Sequence, residues 1–341
     1  METDRTSRWG RRYLGAACIA LVAAGCGSAA GDTGSTATSS TTTRELNHVH
    51  AAVDGVKPGE ILVGTHMALD VSEDAGLTWH PAPGVPAGGV AAIIRLPAGG
   101  YVAAFQADEG APANMMFSPD AAHWTPSGGM PPNPSVSNLV EGTGAVAWAS
   151  VSGKGIYRSV DRGRTWTLAV PTTKLLTALF DSGHSLLFAD EAGIYVTGDV
   201  TPVEPSAPAF AQGVNTIGRW YACPTCLVAT LKKNGVATSR DGGRTWQSVD
   251  PSPALTIDVT LSFPSTGQTL FGMVATPSNP NIGMYTSDTG GAIWHQVLQQ
   301  PNVDNMFALT APTPYLLAFQ WGIQVWRSTD KGTVWDRFSN I

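Results

Sequence analysis

The sequence predicts an all-β chain folded as a seven-bladed β-propeller, and three observations carry that prediction. A hairpin signal built on one aspartate returns seven times at spacings of 38 to 47 residues. Between the copies lie short runs of β-type residues cut by Gly, Pro, Asn and Asp, with almost no helical periodicity. Each unit supplies four such runs, and radial closure of seven four-stranded sheets protects their edges. A period near 40 residues means one supersecondary unit copied many times, which decides the architecture before any local reading does.

The clearest copy is Ser159-Val160-Asp161-Arg162-Gly163-Arg164-Thr165-Trp166. Ser72 to Trp79, Ser239 to Trp246 and Ser328 to Trp335 keep its frame, around Asp74, Asp241 and Asp330. Asp120 reaches Trp124 one residue early, Asp288 reaches Trp294 one residue late, and Asp199 has no Trp. Asp and Ser side chains accept hydrogen bonds from backbone N–H groups just ahead of them, and Gly supplies positive φ without steric cost. The Trp then buries a large ring against a neighbouring unit. In the first unit the expected strands are Asn47 to Asp54, Glu60 to His66, Leu69 to Ser72 and Leu77 to Pro81. The third repeats them at Val136 to Glu141, Gly144 to Val151, Ile156 to Ser159 and Arg164 to Val170. The seventh does so at Met306 to Ala311, Tyr315 to Gln320, Gln324 to Ser328 and Val334 to Phe338.

The first residues differ in kind. Arg5, Arg8, Arg11 and Arg12 precede the apolar run Leu14 to Ala24, which is too short to span a bilayer and reads as an export signal over residues 1–25. Ala23-Ala24-Gly25-Cys26 resembles a bacterial lipobox, which implies a lipid on Cys26 and a protein held on the outer side of the cytoplasmic membrane or at the cell surface. Residues 26–46 are small and polar and read as a flexible tether, leaving 47–341 for the propeller. Cys223 and Cys226 then remain in the folded part. Outside the cytoplasm a disulfide is expected there, since a zinc site of this type needs a second pair. With four Arg and two acidic residues removed, 16 basic and 24 acidic side chains remain, a formal charge of −8 that disfavours nucleic acid as a partner.

The repeat resembles the Asp-box, or BNR repeat, of sialidases, sortilin-type receptors, some endoglucanases and the photosystem II assembly factors. The resemblance covers 47–341 and extends to exported bacterial proteins labelled glycosyl-hydrolase-like or sialidase-like, which share an opening segment like His48-Val49-His50. It implies that the seven aspartates are structural, on outer hairpins away from the ligand face.

Propellers bind ligands at the channel mouth, on loops that enter the inner strands and join second to third strands. His48 and His50 are two apart on one expected strand and share a face. The returning strand brings His66 beside them, a set compatible with a divalent metal or with a polar ligand grip. At matching strand ends stand Gln106, Asp108 and Glu109; Asp190 and Glu191; Lys232 and Lys233; and Gln320 and Trp321, with Trp220 and Tyr221 expected nearby. Such a ring suits a sugar or a peptide, and it equally describes a solvated loop face.

Sialidase chemistry needs three arginines on a carboxylate, a tyrosine nucleophile with a glutamate, and an acid aspartate. Six of the ten arginines after the signal lie in or beside the repeat hairpins, and Arg95 follows the first hairpin instead of preceding it. A different glycosidase would use two carboxylates, for which Asp108, Glu109, Asp190 and Glu191 are the candidates. The leading expectation is therefore a tethered propeller that binds a protein, peptide or glycan without catalysis, with an exported glycoside hydrolase as the alternative.

Overall fold

The computed structural model describes residues 14–15, 18–19, 49–108, 111–197, 213–232, 235–255, 257, 259–262, 266–274, 283–299, 307–310, 315–320 and 324–340. Seven antiparallel sheets, each cut from one contiguous segment, form the blades of a seven-bladed β-propeller. Their inner strands are Val49–Asp54, Gly89–Arg95, Val136–Glu141, Ala178–Asp181, Val214–Arg219, Val259–Ser262 and Phe307–Thr310. Inner strands of successive blades are neighbours from the first blade to the sixth, and Phe307–Thr310 lies beside Val49–Asp54 to close the ring. Six blades have four strands. The fourth has three among the described residues, and Asp199 falls outside them.

Among the described residues seven apolar clusters hold the ring, one between each pair of neighbouring blades. Val102, Ala104, Leu139, Ala147 and Trp166 join the second blade to the third, while Val49, Ile61, Trp79, Leu317 and Phe319 join the first to the last. Alternation along the strands produces this layout, because successive side chains point to opposite faces of a sheet. In the second blade Tyr101, Ala103 and Phe105 face the first, and Val102 and Ala104 face the third. Among the described residues closure is thus side-chain packing, with no exchanged strand.

The repeat hairpins behave as their residues require. Ser159 Oγ donates to Asp161 Oδ1 at 2.8 Å and accepts from Gly163 N at 2.8 Å. Asp161 takes two more hydrogen bonds, from Thr165 N at 2.9 Å and Thr165 Oγ1 at 2.6 Å. Trp166 Nε1 returns to the Gly163 carbonyl at 3.1 Å. Gly163 has φ 82°, and a Cβ there would strike Val102 of the preceding blade. Because Thr78 and Thr165 are spent on the aspartates, the outer strands start later than expected, at His80–Pro81 and Thr167–Val170.

Asp288 corrects the sequence reading. In the sixth blade Thr289 Oγ1 accepts from Ile293 N at 2.8 Å and lies 3.1 Å from Ser287 Oγ, taking the place the carboxylate holds elsewhere. Asp288 turns aside to accept from Thr269 Oγ1. Counted from Thr289, Trp294 is no longer late.

Leu14–Gly15 and Cys18–Ile19, from the run read as an export signal, pair antiparallel beside inner strands of blades one to five and seven. Among the described residues no helix is long and apolar enough to cross a membrane.

Candidate functional site

The ring has two faces. Hairpins share one of them with the loops that follow the inner strands: Ala75 N donates to Gly59 O, Arg162 N to Ala145 O and Gly242 N to Thr225 O. On the opposite, entry face the chain runs into each inner strand, and His50 and His66 lie there. Their rings meet edge-on with centroids 4.1 Å apart. His50 is buried, and its Nδ1 lies 3.1 Å from the Val90 carbonyl, to which it donates. Burial, reinforced by His66, pushes its pKa down to about 4 against the opposing hydrogen bond, so the ring is neutral at ordinary pH.

Strand alternation alone does not place these histidines. His50 occupies a β-bulge, with the register slipping between Val49 and Ala51. The same slip recurs at Ala91, Ser137 and Asn215, so a bulge near the start of the inner strand is shared by blades one, two, three and five. A bulge re-aims its side chain. The expectation that His48 and His50 share a face assumed an unbroken strand, and His48 lies outside the described residues. Among the described residues no group of three His, Cys, Asp or Glu side chains is placed to hold a metal.

Neutral polar groups line the same face in blades two and three. Ser137 and Ser150 hydroxyls are 2.8 Å apart, and Asn138 Nδ2 donates to Ser150 Oγ at 2.8 Å. Gln106 and Asn138 are 6% and 3% exposed. Gln106 Nε2, Asn138 Oδ1 and Ser152 Oγ are buried with no hydrogen-bond partner among the described residues. Such atoms are costly, because a buried polar group without a partner forfeits its hydration. Sequence reasoning picked out Gln106 but missed Asn138 and Ser152, which look like ordinary strand-end residues.

Of the carboxylates expected on this face, Asp190 is held by several donors. Asp190 is buried, and its Oδ2 sits 2.8 Å from Lys174 Nζ and accepts from Tyr195 Oη at 3.1 Å, while Oδ1 accepts from Ala192 N. Burial raises its pKa, but Lys174 and the other donors outweigh it and hold it low. Asp108 and Glu191 are exposed, and Glu109 and Lys233 lie outside the described residues. Lys232 lies with its stem against Gly213. Gln320 ends a second strand at this mouth, and Trp321 lies outside the described residues.

Trp220 and Tyr221 are on the other face, a correction with a simple cause: they follow the end of an inner strand, as Arg95 ends another. Trp220 Nε1 donates to Gln268 O at 2.8 Å, and Arg240 of a repeat hairpin stacks 5.7 Å from the ring. Near them the sequence analysis missed a second constellation. Glu141 ends the third inner strand with its Oε2 buried and unpartnered among the described residues. Burial first, then the charge of Asp181, push its pKa up to about 7 against its own backbone amide. Asp181 ends the fourth inner strand and accepts from Trp148 Nε1 and Gly183 N, both at 2.7 Å. A Cβ on Gly142 would stand 2.5 Å from Asp181 Oδ2, so only glycine admits the carboxylate here. Tyr221 completes the group, its pKa raised by burial and by Glu141 against Arg219. The signal was available in the repeat: the last inner-strand residue is charged in blades one to five, as Asp54, Arg95, Glu141, Asp181 and Arg219.

Fold and site together define a seven-bladed propeller with two chemically different mouths. No protein-family profile and no curated protein matches the sequence. Several solved structures share the fold. YCF48 bound to D1 peptide is 16% identical with TM-score 0.58, over 88% of this chain and 95% of its own. PorZ, a surface component of the type-IX secretion system of Porphyromonas gingivalis, is 13% identical with TM-score 0.59, over 87% and 39%. An ancestral GH74 enzyme is 15% identical with TM-score 0.54, over 85% and 48%.

Proposed function

We propose that this chain is an exported Asp-box lipoprotein, anchored through Cys26, whose entry face binds an extended peptide segment of an envelope or secreted protein. One observation carries the reading: Gln106, Asn138 and Ser152 offer a donor, an acceptor and a hydroxyl, all buried and unsatisfied by the described residues. A peptide backbone or a glycan hydroxyl supplies the complementary groups, and neither requires a titrating partner. Asp190, locked by Lys174 and Tyr195, serves as a fixed wall of the mouth. That a propeller of this fold is seen with a peptide in YCF48 favours peptide over glycan as the first ligand to test. Binding of peptide and glycan libraries to the purified protein tests the reading. Selection of ligands whose affinity falls about tenfold in both Gln106→Leu and Asn138→Leu is the expected result, each lost hydrogen bond being worth about 1 to 1.5 kcal/mol. Ligands indifferent to both changes would refute it.

A second reading, a glycoside hydrolase, is favoured by Glu141 and Asp181, not by the carboxylates of the entry face. A carboxyl held protonated near neutrality beside a hydrogen-bonded carboxylate is the pairing such chemistry uses.

A further inference from the structure

Cys223 and Cys226 form a disulfide with Cα atoms 5.0 Å apart. A staple works mainly by restricting the unfolded chain, and its effect grows with the length of loop enclosed. This one encloses only Pro224 and Thr225.

Nor does the loop depend on the sulfurs for its shape. Cys226 N donates to Cys223 O and Trp220 N to Cys226 O, closing the turn from within. Gly242 N donates to Thr225 O, Thr225 Oγ1 to Arg240 O at 2.6 Å, and Arg219 to Pro224 O at 3.0 Å, tying it from outside. A turn fixed by backbone hydrogen bonds fits the dithiol as readily as the disulfide.

The two sulfurs are unequal. Cys226 is fully buried, packed with Trp220, Val236, Leu270 and Trp294, whereas Cys223 is half-buried on the rim of that cluster. Arg219 spends its N–H groups on the carbonyls of Pro224 and Ser182, and Arg240 lies over Trp220. Among the described residues neither is in an ion pair with a carboxylate, and Arg219 binds the carbonyl of the residue next to Cys223. A cation close by stabilises a thiolate, and an accessible thiolate backed by a buried second sulfur is the arrangement that exchange chemistry uses.

We propose that Cys223–Cys226 is a redox-active pair that exchanges with a dithiol partner protein. A partner thiolate attacks Cys223 Sγ, the Cys223–Cys226 bond breaks, and its electron pair leaves on Cys226 Sγ, which takes a proton. The partner's second thiolate then attacks its own sulfur in the mixed disulfide and releases Cys223 as a thiolate, which is protonated in turn. Two electrons and two protons pass to this chain, and the partner dithiol becomes a disulfide. The reverse sequence oxidises a partner.

Glutathione is the probe, with peptide-resolved alkylation to separate this pair from Cys18 and Cys26. Equilibrated across buffers of reduced and oxidised glutathione, the wild-type pair is expected to pass from oxidised to reduced within the buffered range, with the protein still folded by circular dichroism. A pair still oxidised in large excess of reduced glutathione, or a protein that unfolds as it is reduced, overturns the proposal and leaves a structural staple. In Cys226→Ser, Cys223 should form a mixed disulfide with oxidised glutathione about tenfold faster than Cys226 does in Cys223→Ser, following access and thiolate character. Equal rates count against it, and should either variant fail to fold, the wild-type titration still decides.

Discussion

The indole of Trp79 in the first blade meets the ring of Phe319 in the last edge-on, with centroids 5.9 Å apart and an interplanar angle of 74°. This contact sits in the cluster that closes the ring, and a Cβ on Gly76 of the same hairpin would meet Leu317 and Phe338 of the last blade. Among the described residues no exchanged strand fastens the two blades, and their side chains do. Trp79→Ala should therefore cost about 3 kcal/mol in chemical denaturation, in the range of buried aromatic truncations. Trp79→Phe, which keeps an edge-to-face partner, should cost about 1 kcal/mol. Equal costs for the two would mean that the ring is closed by something other than this packing.

The sixth hairpin supplies a second test. Asp161→Ala removes three hydrogen bonds and should destabilise by about 1 to 2 kcal/mol. Asp288→Ala should stay within about 0.5 kcal/mol, because Thr289 holds the turn, while Thr289→Ala should cost about 1 kcal/mol. Urea titration of the three variants checks this ordering, and a large loss in Asp288→Ala would restore the register that the sequence suggests.

That hairpin also marks how far the sequence could be read. The fold was legible because each copy carries its own turn chemistry at a fixed distance from its Trp, and seven local signals at one period leave few architectures. Asp288 misled because Ser-Asp-Thr offers an aspartate one residue away from the working position, and only hydrogen-bond geometry tells which side chain closes the turn. Site residues were harder for a different reason. Glu141 and Asp181 are 40 residues apart and meet only because neighbouring blades align their inner strands. Trp220 and Tyr221 were assigned to the wrong mouth since aromatic residues beside a strand end do not announce which end it is. His50 was identified, but its bulge was not, because a slip of one residue leaves no mark in the sequence.

Glu141 makes stability depend on pH with a definite sign. The folded state holds its proton up to about pH 7, while the unfolded chain releases it near 4.5. Between those values the unfolded state binds fewer protons, so this group's contribution is fully present below pH 4.5 and is lost as pH rises through 7. Glu141→Gln, which keeps the shape of the protonated carboxyl, should match the wild type at pH 4 and exceed it at pH 8 by on the order of 2 kcal/mol. Denaturant unfolding at both pH values measures it, and a difference independent of pH would show that Glu141 ionises freely in the folded protein.

The same carboxyl separates the two functional readings, because the mouths lie on opposite faces and can be changed independently. A hydrolase using Glu141 as its acid must keep the proton, so turnover of an envelope glycan should fall as pH rises through about 7. Glu141→Gln should then reduce the rate by about a hundredfold or more, the usual worth of a positioned acid, and Gln106→Leu should leave it unchanged. For a peptide-binding mouth the pattern inverts: Glu141→Gln leaves affinity untouched, and Gln106→Leu and Asn138→Leu lower it. Binding assays and glycan turnover on these three variants assign the function to one face, since no single ligand can touch Gln106 at the entry mouth and Glu141 beneath the hairpins without threading the whole channel.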